Sequence, residues 1–338
     1  MINVGIVGVT GYTGQELFKI LIKHPKVKIS GLFSRSSYGK SAKNLFPESA
    51  SKLDLVCFKP ELENISGKCD LVFLALPHTS SMGLASQLIK AGIKVIDLSA
   101  DYRLKDIKTY LKFYAVKHID PKGVNKAVYG LPELYREKIK SAQLIANPGC
   151  YPTAALLSLA PLLASKLVDL TSIIIDAKSG ISGAGKKLAE GPLSEEALED
   201  FKAYKVGVHQ HTPEIDQELT KLSGRRVNVV FVPHLLPIKR GILETVYLKK
   251  NKKARGKNLT ALYKNFYRKE PFVRIKDEGL MPRIKDVVNT NFCDIGIKDC
   301  GDKIIVISVI DNLIKGASGQ AVQNMNIICG FPESLGLR

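Results

Sequence analysis

The chain has 338 residues, too many for one ordinary hydrophobic core, which predicts two domains. With 45% hydrophobic and 24% charged residues, it has the composition of a globular protein rather than of a disordered chain. The formal net charge of +18 suggests an anionic partner, but the basic residues are scattered and the chain has no Trp. We therefore expect no nucleic-acid partner, and a positive field that attracts small anionic molecules.

The first residues, MINVGIVGV, lack the basic start and the cleavage site of a signal peptide, and no stretch reaches the roughly 18 apolar residues of a membrane span. We expect a cytoplasmic protein without a membrane partner. Six cysteines, at positions 57, 69, 150, 293, 300 and 329, form no CxxC pair. They predict neither a disulfide framework nor a structural zinc site, so we expect no metal.

Strands and helices alternate in the first part of the chain. The predicted strands are residues 2–7, 26–33, 70–75 and 94–98, and the predicted helices are 15–23 and 80–91. This order is typical of a parallel, doubly wound sheet. The sequence therefore predicts an α/β fold whose first domain, residues 1–147, is a Rossmann-type dinucleotide-binding domain.

The pattern changes after residue 147. A helix at 153–164 is followed by long strands with little helix between them, at 172–178, 227–233, 242–249 and 303–311. This is typical of an α+β domain with a mostly antiparallel sheet, which we assign to residues 148–314. A last helix at 318–329 has an apolar face that must be buried, so we expect residues 315–338 to complete the first domain.

The first turn of the predicted Rossmann domain carries three glycines, Gly8, Gly11 and Gly14, between a strand and a helix. Glycines at this place let backbone N–H groups approach a pyrophosphate at the helix N-terminus. The spacing is GxxGxxG rather than the GxGxxG of the dinucleotide-binding fingerprint. The alternative is a glycine-rich turn that binds nothing.

The second strand ends in Ser34-Arg35-Ser36 and has no carboxylate there. An NAD site places an acidic residue at this point to hold the ribose 2′-hydroxyl. A guanidinium flanked by hydroxyls suits a 2′-phosphate instead, because arginine binds phosphate in a bidentate manner. The hypothesis is a preference for NADP(H); the alternative is a surface arginine in a loop.

Cys150 lies in Asn147-Pro-Gly-Cys-Tyr-Pro152, between an apolar strand and a helix. Pro152 suits a first helical turn, which places Cys150 at or just before a helix N-terminus. The unpaired N–H groups and the helix dipole favour a thiolate there and could hold an oxyanion. A small buried residue at a tight turn is the alternative, which we favour for Cys57, Cys69 and Cys329.

A nucleophilic cysteine needs a base, and His209 and His211 lie together, with Glu214 in the first turn of the helix that follows. Glu214 could orient an imidazole. The pair could also be half of a zinc site, but no third ligand cluster is evident. Which histidine moves the proton stays open at this stage. His24 and His118 are expected at the surface.

Ten motifs along nearly the whole chain resemble the N-acetyl-gamma-glutamyl-phosphate reductases of arginine biosynthesis. In order they are GVTGYTGQEL, SRSSYGK, LALPHTSS, IDLSADYRL, YGLPELYRE, ANPGCYPTA, DAKSGISGAG, HQHTPEI, FVPHLLPIKRGI and DNLIKGASGQAVQNMN. The resemblance implies a Rossmann domain followed by a catalytic and oligomerisation domain, as in semialdehyde and glyceraldehyde-3-phosphate dehydrogenases. One departure is Gln210, where the family commonly has arginine.

The resemblance also implies roles for individual residues. The catalytic residues would be Cys150 as nucleophile and His211 with Glu214 as acid/base pair, with His209 beside them. The NADP(H) site would comprise Gly8, Gly11, Tyr12, Thr13, Gly14, Ser34, Arg35, Ser36, Leu76, Pro77, Ser179, Gly180, Lys315 and Gly316. The substrate site would comprise Arg103, Asn147, Ser182 and Arg240.

The implied reaction is NADPH-dependent reduction of an acyl phosphate, N-acetyl-L-glutamyl 5-phosphate, to the semialdehyde through a thioester on Cys150 in a homodimer or homotetramer. The first alternative is a reductase of lysine biosynthesis that acts on aminoadipyl phosphate held by an acidic carrier protein, which the net charge would suit. An aspartate-semialdehyde dehydrogenase shares the chemistry, but HQHTPEI argues against it. A non-catalytic basic protein that binds NADP or nucleic acid is the alternative from another class.

Overall fold

The computed structural model of the chain describes residues 1–48, 53–184 and 199–337. The motif DAKSGISGAG ends at residue 185, outside the described residues. The chain forms two compact units, of which unit 1 comprises Met1–Pro148 with Ala317–Arg338 and unit 2 comprises Gly149–Gly316. Among the described residues, no helix is long and apolar enough to cross a bilayer.

Unit 1 is built on a parallel sheet. Its described strands are β1 Ile2–Val7, β2 Val27–Phe33, β3 Cys57–Phe58, β4 Leu71–Leu74, β5 Lys94–Asp97, β6 Val128–Tyr129 and β7 Leu144–Ala146. These strands lie in the order β3-β2-β1-β4-β5-β7-β6, and every pair is parallel. The predicted Rossmann-type fold is confirmed. Strands β3 and β6 were not predicted, because two residues are too few to show a periodicity.

Helices connect the strands of unit 1. They are α1 Tyr12–Leu21, α2 Ala42–Leu45, α3 Leu62–Ile65, α4 Met82–Lys90, α5 Ile107–Tyr114, α6 Pro121–Lys126 and α7 Pro132–Lys140. The helix predicted at 318–329 is present as Gly319–Ile328. Its Ala321, Val322 and Met325 pack in the same cluster as Val4 and Leu17, so the apolar face is buried against the core of unit 1.

Unit 2 contains a mixed sheet. Its described strands are β8 Ile174–Gly180, β9 Lys202–Ala203, β10 Val230–Leu236, β11 Ile242–Lys249, β12 Val273–Ile275, β13 Cys293–Cys300 and β14 Lys303–Ile310. They lie in the order β12-β13-β14-β11-β8-β10-β9. The pairs β8/β10 and β12/β13 are parallel and the other pairs are antiparallel, which confirms a mostly antiparallel sheet.

Three described helices complete the regular structure of unit 2, and one more ends the chain in unit 1. They are α8 Cys150–Ala164, α9 Thr212–Ser223, α10 Leu259–Phe266 and, in unit 1, α11 Gly319–Ile328. Helix α8 begins at Cys150 rather than at the predicted residue 153, because Pro152 stands in the first turn, where no N–H is needed. The strand predicted at 172–178 begins at Ile174, since Asp169 caps a short 3₁₀ turn before it.

Two histidines are not where the sequence predicted them. His24 and His118, expected at the surface, are both only 4% exposed. The Nε2 of His24 lies 3.0 Å from Oδ1 of Asn326, and the Nε2 of His118 lies 2.7 Å from the carbonyl oxygen of Asp101. A single histidine carries no periodicity, so only the packing of distant segments shows that these imidazoles are buried and paired.

Helix α8 is the buried centre of unit 2, and it contains a proline. Pro161 has no N–H to donate to the carbonyl of Leu157, four residues earlier. The hydroxyl of Tyr267 donates to that carbonyl at 2.5 Å. The side chain from a distant segment thus replaces the hydrogen bond that proline removes from the helix.

We predict that Tyr267→Phe lowers the free energy of unfolding by about 1–3 kcal/mol, because it leaves a buried carbonyl unsatisfied. Pro161→Ala supplies an N–H to the same carbonyl and should make the tyrosine hydroxyl dispensable. The double-mutant cycle, measured by denaturant unfolding, is therefore expected to be strongly non-additive. Additive effects would show that the two groups do not share this acceptor.

A buried carboxyl lies in the middle of the sheet of unit 2. Glu244 is fully buried on β11, between Ala177 of β8 and Ser308 of β14. Within the described ranges neither of its oxygens has a hydrogen-bond partner. Burial raises the pKa of Glu244 well above its ordinary value, although the charge of Lys178 acts in the opposite direction. Folding therefore favours the protonated form of this carboxyl relative to the unfolded chain.

We predict that Glu244→Gln stabilises the protein, and increasingly so as the pH rises. The unfolded carboxyl ionises near a pKa of about 4.3, so wild-type stability falls by up to about 1.4 kcal/mol per pH unit from there up to the raised folded pKa. The glutamine side chain does not ionise, so the gain in unfolding free energy should grow as the pH rises above about 5. A gain that is independent of pH would contradict this account.

Glu218 provides the matched control. It is equally buried, but its Oε1 accepts hydrogen bonds from Gln217 and Lys221. Protein donors thus satisfy this carboxyl group. Glu218→Gln weakens favourable hydrogen bonds, whereas Glu244→Gln replaces a group that has none in the described structure. We expect no stabilisation from this control at any pH.

Candidate active site

Cys150 is the first residue of α8 and is half-buried. Gly149 before it is extended, at φ −68° and ψ 158°, and as the N-cap residue it has no side chain that could cap the helix. The sulfur therefore lies where the helix dipole and the first-turn N–H groups favour negative charge. By contrast, burial raises the pKa of the thiols of Cys57, Cys69 and Cys329. Cys150 thus differs from these three thiols in its position at the start of a helix.

His211 packs directly against the residue before the cysteine. A Cβ placed on Gly149 would lie only 2.5 Å from Nε2 of His211. No residue other than glycine leaves room for the imidazole at this distance. The structure therefore brings His211 beside the start of α8, as an acid/base partner of Cys150 requires.

His209 has different surroundings. Its Nδ1 accepts the backbone N–H of His211 at 3.0 Å, so the neutral ring carries its proton on Nε2. Its ring meets those of Tyr151, Tyr204 and Phe231 edge to face, with centroids 5.3 to 5.5 Å away. His209 thus shapes the segment that carries His211, and the geometry favours His211 as the residue nearer to the cysteine.

Glu214 lies in the first turn of α9 and is 1% exposed. Its Oε1 accepts the backbone N–H of Gly149 at 2.9 Å. The carboxylate therefore holds the turn that presents Cys150. Its predicted role in orienting His211 stays a prediction. Gln210, the departure from the family pattern, accepts a hydrogen bond from Nζ of Lys205 at 3.1 Å.

Gly316 approaches the same cysteine from the end of unit 2. It belongs to a π-helical turn, Ile314–Ser318, and a Cβ at this position would lie 2.8 Å from Cβ of Cys150. Lys315 beside it is fully buried, with Nζ 5.8 Å from the centre of the Phe272 ring. π-helical turns are frequent at functional sites. The structure thus places Gly316 beside Cys150, and the cofactor role of Lys315 and Gly316 stays a prediction.

Asp311 organises the neighbourhood of Arg240. Nε of Arg240 lies 3.2 Å from Oδ2 of Asp311, which is fully buried. The same carboxylate accepts the backbone N–H of Leu313 at 2.8 Å. Sequence reasoning did not single out Asp311, although it begins the DNLIKG motif. Its position as the first residue of a motif shared with the family is the sequence signal that could have identified it.

Two further residues of unit 2 that were predicted to bind substrate or cofactor are Ser182 and Ser179. Ser182 Oγ accepts a hydrogen bond from Nδ2 of Asn312 at 3.0 Å, and Oδ1 of the same amide accepts the N–H of Gly241 at 2.7 Å. Ser179 is buried and donates to the carbonyl of Gly180 at 3.0 Å. Roles of these residues toward substrate or cofactor stay predictions.

Arg103 and Asn147 lie in unit 1. Arg103 is 4% exposed, and its guanidinium donates to the carbonyls of Asn147 and Leu98, both at 2.8 Å. The side chain of Asn147 donates to the carbonyl of Ala317 and accepts from Asn324, each at 3.1 Å. These bonds hold the segment that leads into the cysteine turn. Binding of substrate by either residue stays a prediction.

The glycine turn of unit 1 fits a pyrophosphate. Gly8 has φ +81°, and a Cβ there would lie 2.2 Å from the carbonyl oxygen of Ala75. A Cβ on Gly14 would lie 2.2 Å from the carbonyl oxygen of Gly8. Helix α1 starts at Tyr12, and Gly11 offers no side chain to cap it. The turn is therefore wound as tightly as a dinucleotide site requires, with a helix N-terminus at its end.

The segment after β2 lies next to this turn. The N–H of Gly8 donates to the carbonyl of Phe33 at 2.8 Å, and Ser34 Oγ lies 3.4 Å from Oγ1 of Thr10 and 3.2 Å from Oγ of Ser36. Arg35 is exposed between these hydroxyls. The residues present thus fit the 2′-phosphate of NADP(H).

The remaining predicted cofactor residues follow the neighbouring elements of unit 1. Leu76 and Pro77 come directly after β4, and Leu76 Cδ2 would be 3.5 Å from a Cβ on Gly8. The carbonyl of Thr13 accepts a hydrogen bond from Ser318 Oγ at 2.8 Å. Within the described ranges, no group of three or more His, Cys, Asp and Glu side chains could hold a metal ion.

Two family models cover nearly the whole chain. Residues 3–142 match the semialdehyde dehydrogenase NAD-binding domain, and residues 150–312 match the semialdehyde dehydrogenase dimerisation domain. The second match supports oligomerisation of this chain. The fold expected from the sequence motifs is confirmed by these matches.

Solved structures share this fold at low sequence identity. Aspartate semialdehyde dehydrogenase II of Vibrio cholerae, complexed with ASA, superposes with a TM-score of 0.73 at 18% identity over 98% of each chain. Aspartate semialdehyde dehydrogenase of Candida albicans, with NADP, gives a TM-score of 0.72 at 17% identity over 97% of this chain and 98% of that chain. At such identities the likeness establishes the fold alone.

Curated relatives are far more similar. N-acetyl-gamma-glutamyl-phosphate reductase of Pelotomaculum thermopropionicum is 51% identical over 99% of this chain and 97% of its own length. The protein of the same name from Citrifermentans bemidjiense is also 51% identical, over 100% of this chain and 98% of its own. With the cysteine turn, the paired histidines and the glycine turn all in place, the chain belongs to the N-acetyl-gamma-glutamyl-phosphate reductase family.

Proposed function

We propose that the protein reduces N-acetyl-L-glutamyl 5-phosphate to N-acetyl-L-glutamate 5-semialdehyde with NADPH. The observation that carries this proposal is the helix-start Cys150 with His211 packed against Gly149, in a chain about half identical to reductases named for this substrate. The relatives do not favour the carrier-linked lysine-pathway alternative. The protein is therefore an oxidoreductase of amino-acid biosynthesis rather than a basic binding protein.

The first chemical step is acyl transfer to Cys150. His211 takes the thiol proton, and the sulfur attacks the carbonyl carbon of the acyl phosphate. A C–S bond forms, and the bond between the acyl carbon and the bridging phosphate oxygen breaks. Phosphate leaves with the electron pair of that bond. The dipole and the first-turn N–H groups of α8 stabilise the oxyanion of the tetrahedral intermediate.

The second step reduces the thioester. A carboxylate would resist hydride, whereas a thioester carbonyl remains electrophilic. Bound NADPH supplies the hydride. The resulting tetrahedral alkoxide on Cys150 collapses to the aldehyde as the C–S bond breaks. His211 returns the proton to the sulfur, which restores the thiol for the next turnover.

Arg35 and its flanking hydroxyls support a preference for NADPH over NADH. The exposed guanidinium follows β2 where an NAD enzyme would carry a carboxylate, and it lies near the glycine turn through Ser34 and Thr10. A carboxylate would repel a 2′-phosphate, while arginine forms charge-assisted hydrogen bonds with it.

The assembly and the location of the enzyme complete the proposal. The match of residues 150–312 to a dimerisation domain supports a homodimer or a homotetramer. Its relatives are enzymes of small-molecule biosynthesis, which supports a place in the cytoplasm. The partner is then a second copy of the chain, and the substrate is a small acyl phosphate.

We predict that Cys150→Ala abolishes turnover, with a loss of at least about a thousandfold in kcat, because the thioester cannot form. The assay is the reverse reaction, in which NADPH absorbance grows from N-acetylglutamate semialdehyde, NADP⁺ and phosphate. Cys300→Ala, at an exposed thiol, is the control and should keep wild-type activity. Turnover that survives Cys150→Ala excludes the mechanism, and a wild-type enzyme that is inactive on this semialdehyde excludes the substrate.

We predict that Arg35→Leu raises the KM for NADPH by about tenfold or more, because it removes charge-assisted hydrogen bonds worth about 1.5–3 kcal/mol. The KM for NADH should change little, since NADH lacks the 2′-phosphate. Lys40→Leu, an exposed cation in the same loop, is the matched control for general loss of positive charge. Equal effects of Arg35→Leu on both cofactors would contradict the assignment.

A further inference from the structure

The loop between β4 and α4 contains a strained residue. Thr79 has φ +70°, in the left-handed region that β-branched residues rarely adopt. Such a conformation costs on the order of 1–3 kcal/mol and persists only where surrounding contacts hold it. The loop starts next to the glycine turn, because the N–H of Ala75 donates to the carbonyl of Val7 at 2.8 Å. The strain therefore lies at the carboxyl ends of the strands that carry the predicted cofactor site.

Asp101 holds this loop. Its Oδ1 accepts the backbone N–H of Thr79 at 2.6 Å, and its Oδ2 accepts the backbone N–H of Ser81 at 2.9 Å. The hydroxyl of Tyr110 donates to Oδ1 at 2.8 Å. Asp101 itself is fully buried. Charge-assisted bonds of this kind are short and about twice as strong as neutral ones, so they can offset the strain at Thr79.

Ala100, the residue before Asp101, makes a third contact with the loop. The N–H of Ala100 donates to Nδ1 of His78 at 3.1 Å. Asp97 also lies close by, where its carboxylate accepts the N–H and the hydroxyl of Ser99 and also interacts with the side chain of Ser81. Burial, and then the charge of Asp101, raise the pKa of Asp97 to about 7. Asp101 differs from Asp97 because its carboxylate accepts two backbone N–H groups of the loop.

We propose that Asp101 is a positioning residue for NADPH, which holds the strained turn at Thr79 and Ser81 and thereby places Leu76 and Pro77 for the cofactor. This inference rests on the proposed function, which assigns Leu76 and Pro77 to the cofactor site. Asp101 acts through the loop rather than by contact, because it is buried beneath it. Without its charge the loop relaxes from the strained turn, and NADPH must select the fraction of molecules that retain it.

The test is the affinity for NADPH, measured by the fluorescence of the nucleotide with purified full-length protein. Asp101→Asn places an amide that cannot accept two backbone N–H groups where the carboxylate was. If strain then lowers the binding-competent fraction to about a tenth, the Kd for NADPH rises about tenfold. The kcat at saturating NADPH and the KM for the acyl phosphate should stay within about twofold of wild type, which a general structural defect would not allow.

A rescue separates loop strain from other effects of the substitution. In the Asp101→Asn background, Thr79→Gly removes the strain and should restore the Kd, because glycine adopts positive φ at little cost. Thr79→Ala removes the same side chain but keeps the strain, so it should not restore the Kd. Tyr110→Phe is the matched control: it removes a donor to the same oxygen but leaves both bonds to the loop, and should keep the wild-type Kd.

An unchanged Kd in Asp101→Asn, or equal rescue by Thr79→Ala, would overturn the proposal while leaving the proposed function intact. A wild-type protein that does not bind NADPH would instead refute the proposed function. If Asp101→Asn does not fold, amide hydrogen exchange of residues 76–82 in the wild-type protein tests whether the loop is held in place. Protected amides at Thr79 and Ser81 support the proposal, and exchange as fast as in an open loop contradicts it.

Discussion

The lack of a side chain at Gly149 is the constraint on which the candidate active site depends. Any Cβ there would collide with the imidazole of His211, and the N–H of the same residue is the donor that the Glu214 carboxylate accepts. The histidine, the carboxylate and the start of α8 are therefore assembled around one backbone position. Cys150 follows immediately, so main-chain geometry at Gly149 fixes where the proposed nucleophile begins helix α8.

Close approach of backbone recurs at the other predicted sites. Gly8 and Gly14 let the first turn of unit 1 wind against the end of β4, and Gly316 brings a π-helical turn against Cys150. In each case the glycine removes a clash of less than 3 Å rather than supplying a chemical group. Such turns leave backbone N–H groups accessible, which suits the proposed phosphate ligands and the proposed oxyanion.

Buried polar groups hold these turns in position. Asp311 holds Arg240 and the chain that leads into the π-helical turn, while Arg103 and Asn324 hold Asn147 before the cysteine. Asp101 does the same for the loop after β4. Charged donors and acceptors in a low-dielectric interior are strong when every partner is present, so such networks define one conformation. Glu244, without a partner in the described structure, is the contrasting case.

The candidate site residues follow from local patterns in the sequence. Glycine spacing, an arginine in place of a carboxylate after β2, and a cysteine just before Pro152 are local patterns, and each has a local physical meaning. The strands of the first domain are also predictable from the sequence, because buried parallel strands such as β1 and β4 are rich in consecutive apolar residues. The sequence does not predict the two-residue strands β3 and β6 or the start of β8. These features depend on segments that are neighbours in space but distant in the chain.

The sequence by itself determined the family and the order of most elements, since contiguous motifs carry both, and it singled out Cys150 as the candidate nucleophile. Only the tertiary structure decided which histidine lies beside Cys150, that Glu214 bonds to the cysteine turn, and that Asp101 holds a strained loop. Each of these facts joins residues that are about 20 or more positions apart in the chain. Such distances follow from the packing of whole elements, which no local pattern of residues encodes.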